Sequence, residues 1–209
     1  MRDSREIQQL FGRIDVYLFD QILRGNITAG MRIFEAGCGN GRNLVYLMQA
    51  GYEIMGLDRD PRAVDAVRRL ADELAPHLPA DAFRVEPLEA STFPDACADV
   101  VLCNAVLHFA RDHDHFDAEL DGAWRLLAPG GLFFARLGSS ITLEDQVTPR
   151  GHGRFVQPGG YELYLVDLER LLAATERLGG ELVDPIKTVN VQGLRCMTTW
   201  VLRKPHRTD

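Results

Sequence analysis

Residues 31–60 read MRIFEAGCGNGRNLVYLMQAGYEIMGLDRD, and the turn at their centre, Phe34-Glu35-Ala36-Gly37-Cys38-Gly39-Asn40-Gly41-Arg42-Asn43, decides the fold. The apolar run Met31–Ala36 is a strand that stops at three closely spaced glycines. Helical character returns over Asn43–Ala50, where Leu44, Leu47 and Met48 share a side. Glycine lets the backbone turn sharply and come close to a ligand. A second strand, Tyr52–Asp58, ends on a carboxylate, and Asp60 before Pro61 marks the cap and first position of another helix. In open α/β sheets ligands bind at the carboxyl ends of the strands, where an acidic residue such as Asp58 can accept both hydroxyls of a ribose. Loop and carboxylate together describe a nucleoside site.

The same alternation continues outward. Val64, Val67, Leu70, Ala71 and Leu74 recur at helical spacing after Pro61. Strands follow near Phe83–Glu86 and Asp99–Asn104, the latter (DVVLCN) apolar enough for a central parallel strand. Phe116, Leu120, Trp124 and Leu127 form the face of a helix stopped by Pro129-Gly130-Gly131, and Leu132–Leu137 is the next strand. Alternating strands and helices with short connections specify an α/β fold: a Rossmann-like, doubly wound, mostly parallel sheet with helices on both faces. Upstream, Ile7, Leu10, Ile14, Leu18 and Ile22 predict one helix over Arg5–Leu23, the main part of a helical cap over residues 1–30. Downstream, residues 138–160 are polar, glycine-rich and longer than an ordinary connector, which reads as a lid loop whose Arg150, His152 and Arg154 line an entrance. A helix over Val166–Leu178 and two strands, Glu181–Val191 and Cys196–Arg203, paired as an antiparallel hairpin, complete a single domain of residues 1–209.

Composition narrows the partners. The 209 residues are 46% hydrophobic and 25% charged with a formal charge of −7, so there is no large basic footprint for nucleic acid. No apolar run reaches the roughly 18 residues of a membrane span, and MRDSREIQQLFGRID lacks the apolar core of a secretory signal. The expectation is a cytoplasmic protein with a small-molecule partner. Cys38, Cys97, Cys103 and Cys196 form no C-x-x-C pair. His113 and His115 lie in a charged stretch without a third ligand at a metal-binding spacing, so they read as a solvated helix entrance and no metal is expected. Nothing in the sequence fixes an oligomeric state.

Three cofactor classes use glycine loops. The phosphate loop G-x-x-x-x-G-K-[ST] is absent, and the dinucleotide fingerprint G-x-G-x-x-G is missed by one position, the order here being G-x-G-x-G. The combination E-x-G-C-G-x-G, an acidic residue about twenty positions on, and the later R-x-L-x-P-G-G resembles class I S-adenosylmethionine-dependent methyltransferases over residues 31–137. Within that family GCGNGRNLVYLMQAGYEI is most similar to the tellurite-resistance group. The resemblance implies a seven-stranded sheet with a reversed last strand, and S-adenosylmethionine as cofactor. It further implies that Gly37, Gly39 and Gly41 line the methionine and ribose portion, with Cys38, Asn40 and Asn43 in the same loop. Glu35 would orient the loop or the methionine amine, and Asp58, with Arg59 beside it, would hold the ribose. The family's acidic residue after the third strand is replaced by Pro87-Leu88, which leaves the adenine contact to the Leu88 backbone or to a neighbouring Glu86 or Glu89.

Arg13, Tyr17 and Asn104 are further cofactor-binding candidates, and His108 and Arg136 are the catalytic ones. Arg13 and Tyr17 on the N-terminal helix are placed to close over the cofactor carboxylate, and Asn104 ends the fourth strand where the family keeps substrate and methyl-group contacts. His108 is the candidate general base, weighed against a hydrogen-bonded core histidine. Arg136 interrupts LFFARL and must either meet a carboxylate or face the ligand edge, because an unpaired buried guanidinium is costly. Arg195 could reach an anionic or electron-rich substrate from the final hairpin. The alternatives to a methyltransferase are a noncatalytic S-adenosylmethionine-binding module and a nicotinamide- or nucleotide-dependent Rossmann enzyme.

Overall fold

The computed structural model describes residues 3–206. The strands that build the site are β1 (Arg32–Ala36), β2 (Glu53–Asp58), β3 (Phe83–Val85), β4 (Ala98–Asn104) and β5 (Leu127–Ser139). They alternate with helices α3 (Val45–Gln49), α4 (Pro61–Leu74) and α5 (His113–Leu126), and α1 (Ser4–Phe11) and α2 (Val16–Leu23) precede them. After β5 come β6 (Thr148–Gly151), β7 (Arg154–Val156), β8 (Glu162–Tyr164), α6 (Leu168–Arg177), β9 (Glu181–Leu182), β10 (Lys187–Val191) and β11 (Arg195–Arg203). The main sheet runs β10-β11-β5-β4-β1-β2-β3, with β9 attached to β11. β1 to β5 are mutually parallel and β11 runs against both β5 and β10. This is the expected doubly wound sheet with its reversed strand.

Side chains alternate across the sheet as the pleat requires. Phe34, Val101 and Cys103 pack with Phe116 and Leu120 of α5 and Leu171 of α6. Ile33, Val100 and Leu102 pack on the opposite face with Leu18 of α2, Leu47 of α3 and Val64 and Val67 of α4. A strand buried on both faces explains the unbroken apolar run of DVVLCN.

Three expectations change. The helix over Arg5–Leu23 is two helices, because Gly12 takes φ +61° and ends α1, after which Asp15 caps α2 by accepting the Tyr17 N–H at 2.9 Å. The strand over Glu181–Val191 is interrupted at Pro185, where Asp184 turns to bind Arg24 at 2.7 Å. The polar stretch 138–160 is only partly loop: β6, β7 and β8 form a separate three-stranded antiparallel sheet. Glycines and polar residues masked its short strands.

Candidate active site

β1 delivers the chain to the carboxyl edge of the sheet, where Gly37, Gly39 and Gly41 all adopt positive φ, at +62°, +52° and +76°. At two of them only glycine fits. A Cβ on Gly37 would lie 2.6 Å from Val106 Cγ2, and one on Gly41 2.7 Å from Leu70 Cδ2, so the loop packs directly on α4 and on the segment after β4. Gly39 differs, since a Cβ there would meet nothing within 4 Å. Its N–H donates to Asp58 Oδ2 at 3.0 Å, while Asp58 Oδ1 accepts the Asp60 N–H at 2.9 Å. Glu35 is buried beneath the loop. Its Oε1 accepts from Asn43 Nδ2 at 2.7 Å, and Asn43 Oδ1 accepts the Asp15 N–H at 3.1 Å, which ties the loop to the cap of α2. Glu35 Oε2 is buried without a partner, and burial pushes this carboxyl up to about 7.

Two cavities open at this edge. The first, of about 210 Å³, lies between Gly37, Leu57, Asp58 and Arg59 on one side and Leu88, Val106 and Glu119 on the other. The second, of about 440 Å³, lies between Asn104 and Arg136 on the sheet edge, Tyr161 and Leu163 from the small sheet, and Arg195 and Met197 of β11. Ala105 and Phe109 line both, so the cavities share a wall. Ala105 sits at φ +62°, a conformation that costs an L-residue about 1–2 kcal/mol. Its N–H donates to the Arg136 carbonyl at 2.8 Å, which holds the wall at the ends of β4 and β5.

In the second cavity His108 Nδ1 accepts the Gly138 N–H at 3.0 Å, so the ring's proton resides on Nε2. Burial pushes this histidine down to about 4. It is neutral near pH 7, and its remaining nitrogen is a donor. Arg136 does both things required of it: it lines the cavity and it meets buried Asp15 Oδ2 at 2.6 Å.

A model of a methyltransferase domain family matches residues 34–135. A probable S-adenosylmethionine-dependent methyltransferase of Mycolicibacterium smegmatis is 30% identical over 169 residues, covering 79% of this chain and 58% of that protein. An S-adenosyl-L-methionine-dependent Diels-Alderase of Talaromyces variabilis is 35% identical over 112 residues, 51% of this chain and 36% of its own. Among solved structures, the Burkholderia thailandensis 1,6-didemethyltoxoflavin-N1-methyltransferase with bound 1,6-didemethyltoxoflavin and S-adenosylhomocysteine superposes with TM-score 0.69 at 17% identity, over 97% of this chain and 83% of that one. Residues 34–135 are a methyltransferase domain, and the chain is similar to S-adenosylmethionine-dependent methyltransferases. It spans between about a third and three-fifths of the length of the curated relatives it matches.

The methyltransferase loop fits that cofactor on its own geometry. The orphaned Glu35 oxygen is an acceptor for an ammonium, although Glu35 lines neither cavity, Asp58 offers a carboxylate at the edge of β2, and a Cβ on Gly39 would meet nothing within 4 Å. Of the residues singled out in the sequence, Gly37, Asp58, Arg59, Glu86 and Leu88 line the first cavity, and Asn104, His108, Arg136 and Arg195 line the second. Others are not brought in. Arg13 and Asn40 are exposed, and Tyr17 lies with its ring 5.2 Å from the Arg136 guanidinium carbon but on neither cavity wall. The Cys38 side chain packs in the core, and burial pushes its thiol up, so it can serve a ligand only through its backbone. Glu89 is off the cavity wall, its Oε1 accepting from His115 Nε2 at 3.0 Å, whereas Glu86 lines the first cavity while its carboxylate accepts from Thr92 at 2.5 and 2.8 Å. For His108, proposed from the sequence as a base, the bond from the Gly138 N–H occupies Nδ1 and leaves Nε2–H as a donor.

Of the two histidines, His113 is exposed as expected and His115 is not. His115 is buried, not solvated, and its Nε2 faces Glu89 and Glu119, the three forming a cluster of metal-ligand type. Its Nδ1 accepts the Arg111 N–H at 3.1 Å, so Nε2 carries the proton where a metal would need a lone pair. Arg59 supplies the positive charge instead, at 3.1 Å from Glu119. Arg150 and His152 are exposed, and Arg154 is bound to Glu162 at 2.9 Å and to the Ala110 carbonyl at 2.8 Å. The residues 138–160 contribute to the second cavity is Gln157, and Tyr161 follows just beyond. Sequence reading missed Phe109, Glu119, Gln157 and Tyr161, which carry no motif. Arg42, beside the glycines, was the one within reach.

Proposed function

We propose that this protein transfers a methyl group from S-adenosylmethionine, bound in the first cavity, to a small-molecule acceptor in the second, and that it works in the cytoplasm. The observation that carries the reading is the shared wall of Ala105 and Phe109, because a direct displacement needs donor and acceptor side by side. When bound, the cofactor supplies an electrophilic methyl on a sulfonium. The chain supplies position. Glu35 Oε2 accepts from the methionine ammonium, Asp58 accepts from the ribose hydroxyls, Leu88 packs on the adenine side, and Tyr161 and Leu163 cover the acceptor and exclude water.

Absence of any long apolar helix among the described residues supports working away from a bilayer core. Calorimetric titration with S-adenosylhomocysteine and with NAD tests the cofactor: micromolar binding of the former is expected, and tight NAD binding with none of it would reverse the reading. Incubation of labelled S-adenosylmethionine with the small-molecule fraction of a cell extract tests the reaction. Label should move into an organic product only with enzyme present. A relative is named as an S-adenosyl-L-methionine-dependent Diels-Alderase, and a cofactor bound but never consumed would favour that kind of use.

A further inference from the structure

The second cavity is built of hydrogen-bond donors. Arg42, Arg136 and Arg195 bring three guanidiniums to its wall, and no aspartate or glutamate lines it. Asn104 Nδ2 and Arg136 Nε are buried with no acceptor, and these two residues are register neighbours on β4 and β5. His108 adds Nε2–H, since Nδ1 is already taken. Charge is only partly answered. Asp15 meets Arg136, but Arg42 donates to two neutral oxygens, the Arg13 carbonyl at 3.3 Å and Asn104 Oδ1 at 3.0 Å. The Arg195 side chain has no hydrogen-bond or ion-pair partner among the described residues. Gln157 and Tyr161 add groups that can donate or accept, and Phe109, Leu163, Val191 and Met197 supply an apolar remainder.

Buried donors lacking acceptors are complete only when a ligand brings them. We propose that the methyl acceptor is an organic oxyanion on an apolar body, ionised before it binds, with Arg195 as the cation that selects it. This rests on the methyltransferase reading and names the substrate class of the same site. Asn104 and His108 lie beside the shared wall at Ala105, so their donors hold the reacting end, and Arg195 guards the hairpin end. The step balances without a base. A lone pair of the acceptor oxygen forms the new bond to the methyl carbon as the carbon–sulfur bond breaks, and that electron pair goes to sulfur. Sulfonium and oxyanion charges cancel, and no proton is released. A cavity rich in donors and without a carboxylate is then sufficient, and it stands as a local positive site on a chain of formal charge −7.

The test uses 1-anilinonaphthalene-8-sulfonate and its neutral counterpart N-phenyl-1-naphthylamine, titrated by fluorescence into the full chain with and without saturating S-adenosylhomocysteine. The anion should bind at least tenfold more tightly than the neutral compound. R195A should remove about tenfold of anion affinity while leaving the neutral compound and S-adenosylhomocysteine unchanged, and R195K should restore most of it. Arg195 is exposed at the start of β11, so the variants fold. Equal affinity for the two compounds, an anion preference that survives in R195A, or binding of neither would overturn the proposal. Loss of S-adenosylhomocysteine binding alone would instead count against the methyltransferase reading, because the titrations without it still report on the cavity.

Discussion

The Gly39 N–H donates to Asp58 Oδ2 at 3.0 Å, so the carboxylate at the end of β2 also sets the glycine loop before any ligand arrives. Asp58→Ala removes both this tie and the ribose acceptor. Affinity for S-adenosylhomocysteine should fall by roughly 1.5–3 kcal/mol, the range for hydrogen bonds to charged groups. Calorimetry checks this, and an unchanged affinity in the folded variant would refute the role of Asp58.

Glu35 makes the ligand-free loop sensitive to pH. Its carboxyl stands at about 7 against an ordinary 4.5 because burial opposes its charge. The folded state therefore holds the proton longer than the unfolded chain, and Glu35's contribution to stability is full below pH 4.5 and is lost as pH rises through 7. The difference amounts to about 3 kcal/mol. Glu35→Gln should abolish it, making the ligand-free variant more stable than the parent at pH 8 in urea unfolding while weakening S-adenosylhomocysteine binding. A parent and variant with parallel stability profiles would contradict the assignment.

His108 should leave no mark on the pH dependence of the rate. With its pKa near 4 it remains neutral across pH 5.5–8.5, so a pH–rate profile measured with an already ionised acceptor should be flat through 6.5. His108→Ala would orphan the buried Gly138 N–H at a cost of about 1–3 kcal/mol. A limb near pH 6.5 that disappears in this variant would restore the base.

Asp15 and Arg136 join the N-terminal helices to the sheet edge across 121 positions of sequence. Asp15→Ala leaves a largely buried guanidinium without its counter-charge, and a loss of about 2–4 kcal/mol is expected, less than a fully buried pair because Arg136 retains some exposure. Thermal unfolding should move down by roughly 4–15 °C for a domain of this size. A shift below 2 °C would mean the pair is decorative.

The order of strands and helices and the first cavity were readable because local signals carry them: glycine spacing, Asp58 after an apolar run, Pro61 after its cap. The acceptor cavity was not, since its wall joins residues from β4, β5, the small sheet and β11 that share no periodicity. His115 illustrates the limit. Its neighbours in sequence are charged and suggest solvent, whereas it is buried and paired with Glu89, twenty-six positions away. Gly12 and Pro185 broke elements that hydrophobic spacing alone would have continued.

Because Ala105 and Phe109 face both cavities, they bind the history of the two ligands together. A substitution at Phe109 alters the room for cofactor and acceptor at once, so selection for a new acceptor meets resistance there. Gln157, Tyr161, Val191, Arg195 and Met197 touch the acceptor side alone. New acceptor preferences can therefore accumulate in the small sheet and the closing hairpin while the cofactor half is inherited unchanged.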